Sequence, residues 1–111
     1  MIIPNENRRY RYICFHIKSL NEKIDISKEE FNKKLKSQCI NLFNINCYKK
    51  GIRLIRFDGI AGTGIVKCKH TEKENTIKLL NSIDNISTIE VKVETFGTSG
   101  TIKALIKKYL T

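Results

Sequence analysis

Apolar positions along this chain switch between two periods, and the switches mark its elements. From Arg9 to Lys18 the period is two: Ile13, Phe15 and Ile17 share one face and Tyr10, Tyr12, Cys14 and His16 the other, which predicts a strand with neither face plainly polar. Ser27-x-x-Glu30 is a capping box, and Phe31, Leu35, Cys39 and Leu42 behind it recur at helical spacing as far as Phe43. After a loop over residues 44–51, period two returns in Ile52–Phe57 and Gly64–His70, two strands joined as a hairpin through the glycine-rich residues 58–63. Thr71-x-x-Glu74 predicts a second capped helix with Ile77, Leu80 and Ile83 facing inward. A strand follows, with Ile89, Val91 and Val93 set against Glu90, Lys92 and Glu94.

The chain then runs through Ser99-Gly100-Thr101 into a last helix whose Ile102, Leu105, Ile106 and Tyr109 form an apolar stripe flanked by Lys103, Lys107 and Lys108. The order β-α-β-β-α-β-α predicts an α+β, ferredoxin-like or RNA-recognition-motif-like sandwich, with a four-stranded antiparallel sheet carrying two helices on one face. The seventh element must bury its stripe, and the apolar content of the Tyr10/Tyr12/Cys14 face predicts that this helix, or a partner protein, covers part of the open sheet surface. At 111 residues the whole chain, 1–111, reads as one domain.

Charge sharpens the picture. Lys and Arg number 21 against 11 Asp and Glu, a net charge of +10, which points to a polyanionic partner. A membrane is disfavoured because the apolar runs are short, and the start Met1-Ile2-Ile3-Pro4 is too short for a signal peptide, so the expected location is the cytoplasm. Cys14, Cys39, Cys47 and Cys68 lack Cys-x-x-Cys spacing and read as buried thiols rather than metal ligands. His16 and His70 fall on different predicted strands, and no carboxylate pair has metal-binding spacing, so no catalytic centre can be assembled.

Basic residues carry the functional signal. Arg8, Arg9 and Arg11 crowd the start of the first strand, Lys49, Lys50, Arg53 and Arg56 span the loop and second strand, and Lys67 and Lys69 alternate on the third. With strands one and three adjacent, these groups are expected to form one phosphate-binding surface, with Lys103 added to it and the helix start at Ser99, Gly100 and Thr101 expected to contact a phosphate or a partner. Gly59-x-x-Gly62-x-Gly64 is neither a P-loop nor a dinucleotide fingerprint, because a strand follows it; it is read as the hairpin turn, begun by Asp58, with Ile60 at its tip as a candidate protein contact. The third strand lacks the aromatics of the usual RNA-recognition signature, which favours grip on structured RNA over base stacking on an open sheet.

Three segments in order, Arg9-Tyr10-Arg11-Tyr12-Ile13, Gly64-Ile65-Val66-Lys67-Cys68 and Ser99-Gly100-Thr101-Ile102-Lys103-Ala104-Leu105, resemble the ribonuclease P protein component 2 family, the archaeal Pop-type small subunits. The resemblance implies a non-catalytic RNA-binding subunit of the ribonucleoprotein that removes the 5′ leader from precursor tRNA. It further implies that the RNA subunit and Mg2+ supply the chemistry, that the protein itself binds no cofactor, and that its partners are the catalytic RNA, the barrel-type protein component 3, and a second copy within a heterotetramer. The readings left beside it are a stand-alone RNA-recognition-motif protein, a ferredoxin-like ligand sensor using the loop over residues 59–64, and an enzyme using His16 or His70 as base.

Overall fold

The computed structural model describes residues 9–19 and 24–109, the side chain of Tyr109 excepted. The elements are β1 (Tyr10–Ser19), α1 (Lys28–Phe43), β2 (Arg53–Asp58), β3 (Thr63–Lys69), α2 (Lys73–Asn81), β4 (Asn85–Ile86), β5 (Ile89–Ser99) and α3 (Ile102–Tyr109), with single 3-10 turns at Cys47–Lys50 and His70–Glu72. They form a curled antiparallel sheet in the order β2-β3-β1-β5-β4. Strands β1 and β3 are adjacent, as expected, but the sheet has five strands rather than four. The extra edge strand, β4, pairs Asn85 with Glu90 and Ile86 with Ile89 across a tight turn in which Ser87 takes a left-handed φ of 56°. Two residues are too few to show a period in the sequence.

Helix α1 starts where its capping box places it. Ser27 Oγ accepts from the Glu30 N–H and Glu30 Oε1 accepts from the Ser27 N–H, both at 3.1 Å. Phe31, Leu35 and Cys39 are buried, whereas Leu42, expected inside, lies on the exposed end of the helix. The second expected capping box does not form. Thr71 lies in the 3-10 turn, α2 begins only at Lys73, and Glu72 at its start makes no side-chain cap; its carboxylate instead accepts from Asn75 and Lys50. The shift turns Leu79, Leu80 and Thr76 inward, and the Thr76 hydroxyl donates to the Glu72 carbonyl at 2.7 Å. Ile77 is only half-buried, and Ile83, just past the helix, is buried as expected.

The main core lies between α1, α2 and one face of the sheet, where Ile13, Phe15 and Ile17 meet Phe31, Leu35, Leu79 and Leu80. Phe15, Phe31 and Phe57 stack with centroid separations of 4.9 Å between Phe15 and Phe31 and 5.1 Å between Phe31 and Phe57. Gly64 lies between Phe15 and Phe57 in the register, and a Cβ there would come within 2.4 Å of the Phe15 ring. A second, smaller cluster lies on the opposite face, where Leu105 of α3 packs on Cys14 and Ile65 with Tyr12, Ile102 and Ile106 around it. The last helix covers part of the open sheet surface, as the mixed face of the first strand predicts.

Leu105 is fully buried, so Leu105→Ala should cost about 2–5 kcal/mol in urea unfolding. A loss under about 0.5 kcal/mol would mean that α3 is not packed in solution. Gly64→Ala should cost about 1–3 kcal/mol by pushing the Phe15 ring out of the stack, read in the same assay.

Candidate nucleic-acid interface

Residues directly opposite one another in a sheet share a face, so the register sorts the basic side chains. Tyr10, Tyr12 and Cys14 pair with Lys69, Lys67 and Ile65, and all belong to the face that carries α3. Arg11 pairs with Cys68 and belongs to the helix-covered face, half-buried, with one guanidinium nitrogen donating to the Tyr10 carbonyl at 2.8 Å. The expected single surface of strand-one arginines and strand-three lysines is therefore divided by the pleat. Arg9 is exposed at the end of the sheet, where its carbonyl meets His70 Nδ1 at 3.2 Å, and Arg8 lies outside the described residues.

Two bulges decide what joins Lys67 on the open face. In β2 the register slips between Leu54 and Arg56, so that Arg53 pairs with Lys67 and Arg56 pairs with Ile65. In a regular strand residues three apart point to opposite faces; the extra residue, Ile55, brings both arginines to one. In β5 the slip falls opposite Cys14 and Phe15, leaving Phe96 as the extra residue. Val91, Val93 and Thr95 face the helices with Ser19, Ile17 and Phe15, but beyond the bulge Gly97 and Ser99 pair with Cys14 and Tyr12 on the other side. The chain leaves β5 on the open face, and α3 folds back over it. Thr101 caps this helix, its Oγ1 accepting from the Ala104 N–H at 3.2 Å and its carbonyl from the Leu105 N–H, while Ser99 Oγ accepts from the Thr101 N–H.

Arg53, Arg56 and Lys67 thus line the part of the face beside α3. Lys67 Nζ stands 4.2 Å from the centre of the Tyr10 ring and 5.9 Å from that of Tyr12, which holds the charge in place without neutralising it. None of the three enters either ion pair found among the described residues, Lys18–Glu94 and Lys50–Glu72. Lys69 is exposed at the end of β3, its stem against Gly51, and Lys103 is exposed on α3. Lys49 is exposed as well. Lys50 has an internal job: its ammonium is 3.0 Å from Glu72 and 4.8 Å from the centre of the Phe43 ring. Ile60 is 77% exposed at the hairpin tip, where Asp58 Oδ1 accepts from the Ile60 and Ala61 N–H groups. Tyr48, beside Lys49, has no period to announce it in the sequence, yet it is 78% exposed at the mouth of a cleft between α1 and β2.

Among the described residues no three His, Cys, Asp or Glu side chains gather as a metal site. All four cysteines are buried free thiols. Burial pushes Cys14 and Cys68 up, and burial together with the neighbouring Cys39 pushes Cys47 up to about 12, so thiolate chemistry near neutral pH is suppressed. Asn75 and then Lys50 hold the Glu72 carboxyl below its usual value. A depressed carboxyl stabilises the fold above its unfolded value and loses that contribution as pH falls through the folded one. Glu72→Gln should therefore lower the urea midpoint at pH 7, and the gap from the wild type should close as the pH drops below about 4. A gap unchanged at low pH would deny the ion pair its role.

Comparison with known proteins identifies the family. Residues 11–110 match the Rpp14/Pop5 family. Ribonuclease P protein component 2 of Pyrococcus furiosus is 30% identical over 108 residues, covering 96% of this chain and 88% of that protein. The Archaeoglobus fulgidus protein of the same name is 33% identical over 107 residues, covering 96% of this chain and 94% of its own. A chain in the cryo-EM structure of yeast ribonuclease MRP shares the fold with a TM-score of 0.63 at 13% identity, over 85% of this chain and 76% of that one. On the extent of the family match and the near-full-length archaeal relatives, this chain belongs to the Rpp14/Pop5 family of ribonuclease P protein components.

Proposed function

We propose that the chain is a non-catalytic, RNA-binding subunit of ribonuclease P, which supports the catalytic RNA in removing the 5′ leader from precursor tRNA. The observation that carries this reading is the cationic strip of Arg53, Arg56 and Lys67, which the β2 bulge aligns beside α3 and which enters neither ion pair among the described residues. Guanidinium forks and a ring-held ammonium suit phosphate oxygens, and backbone contacts of this kind grip a folded RNA by shape. The position of α3 weighs against a stand-alone RNA-recognition motif, because Tyr12, Cys14 and Ile65, at the centre of the face where bases would stack, are packed under it. In this reading Mg2+ belongs to the RNA. The protein partners are the barrel-type component 3 and a second copy of the chain, with the exposed Ile60 tip as one contact.

The purified chain should leave precursor tRNA intact, and Mg2+-dependent cleavage should appear when the cognate RNA and partner proteins are added. Cleavage by the protein after RNase treatment would overturn the assignment. Replacing Arg53, Arg56 and Lys67 with alanine should weaken binding to the catalytic RNA and flatten the slope of log K against log salt by up to about 0.9 per phosphate contact removed. The Arg9/Arg11 double substitution, which leaves the open face unchanged, should alter the slope less. Equal slopes for the wild type and the open-face triple variant, with both folded by circular dichroism, would remove the strip from the RNA site.

A further inference from the structure

We infer that the cleft between α1 and β2 receives one unpaired nucleotide of the bound RNA, with Tyr48 as its stacking platform. The inference rests on the RNA-binding reading and extends it from phosphate grip to base capture. The cleft has a volume of about 440 Å³, within the range of small-ligand sites. Leu35, Ile52 and Leu54 line it together with the amide side chains of Asn32 and Asn46. Its rim carries Lys36, Arg53 and Tyr48, and no carboxylate lines it. A cleft with amide groups inside and an aromatic ring at its edge suits a base, which has both a π-face and hydrogen-bonding edges, and two cations at the mouth suit the phosphates on either side.

Tyr48 is exposed on a backbone that is held firmly. Asn46 Oδ1 accepts from the Tyr48 N–H at 2.8 Å, Gly51 closes the turn at a φ of 71° with its N–H on the Tyr48 carbonyl, and the neighbouring Cys47 is buried with its thiol on the Leu35 carbonyl. An aromatic ring presented to water on a rigid turn loses little conformational entropy when a base settles on it. Arg53 connects the two surfaces, since it pairs with Lys67 in the sheet and also lines the cleft. An RNA strand whose phosphates follow Lys67 and Arg53 over the β2 edge arrives at the mouth of the cleft, and an unstacked base there can turn in.

The test uses the full chain with a fully paired RNA duplex and with the same duplex carrying a single bulged uridine. The wild type should prefer the bulged form. Tyr48→Ala, which leaves the core intact, should lose about 5- to 150-fold in affinity for the bulged RNA, the effect of removing one base–aromatic stack, with the paired duplex unaffected. Tyr48→Phe should keep the preference, and a thiouridine at the bulge should cross-link to the peptide carrying Tyr48. If the wild type binds both RNAs equally and Tyr48→Ala changes neither, RNA binding stands, the cleft is left to a protein partner, and the inference is overturned. If the wild type binds neither RNA, the RNA-binding reading falls and takes the inference with it.

Discussion

Gly64 is the position on which the rest of the packing depends. Phe15 and Phe57 flank it across the sheet, and because it has no side chain the Phe15 ring can lie over it and stack on Phe31 from α1, which stacks in turn on Phe57. That one space ties the central strand, an outer strand and the first helix into a common core. The hairpin leading to it is drawn in just as closely. A Cβ at Gly59 would meet the Ile26 carbonyl oxygen at 1.8 Å, and Gly62, at a φ of 73°, accepts the Ile17 N–H on its carbonyl. The glycine-rich turn that resembles a ligand loop in the sequence is used for close backbone contact.

With the helices fixed on one side, the function of the other side is set by irregularity in the strands. A bulge is a one-residue change of parity, and each of the two here moves a functional group across the sheet. At Ile55 it gathers two arginines that strict alternation would separate, and at Phe96 it delivers α3 to the open face. The helix then seals the centre over Cys14 and Ile65, leaving Arg53, Arg56 and Lys67 at the margin.

The electrostatics separate the cations that are paired among the described residues from those that are not. Lys18 and Lys50 are matched to Glu94 and Glu72, and each partner carboxyl is held below its usual value by hydrogen bonds and the nearby ammonium. Arg53, Arg56 and Lys67 enter neither ion pair among the described residues. With 21 basic residues against 11 acidic ones, a net charge of +10 cannot be neutralised within the chain, and attraction to a polyanion follows.

Local patterns in the sequence determined a good deal. The alternation of Ile13, Phe15 and Ile17 placed β1, the Ser27/Glu30 pair set the start of α1, Asp58 opened the hairpin, and the stripe on α3 required a buried surface. These are interactions within a few residues, where side-chain period and hydrogen-bonding reach settle the outcome. Thr71/Glu74 offered an equally good cap that tertiary packing overrode, because Glu72 was drawn to Lys50, twenty-two residues away. The faces of Arg53 and Arg56, the fifth strand and the cleft beside Tyr48 were decided only in the folded sheet. Register between distant strands is chosen by how their side chains fill a shared core, and a single inserted residue reverses every face beyond it; no local pattern carries that information.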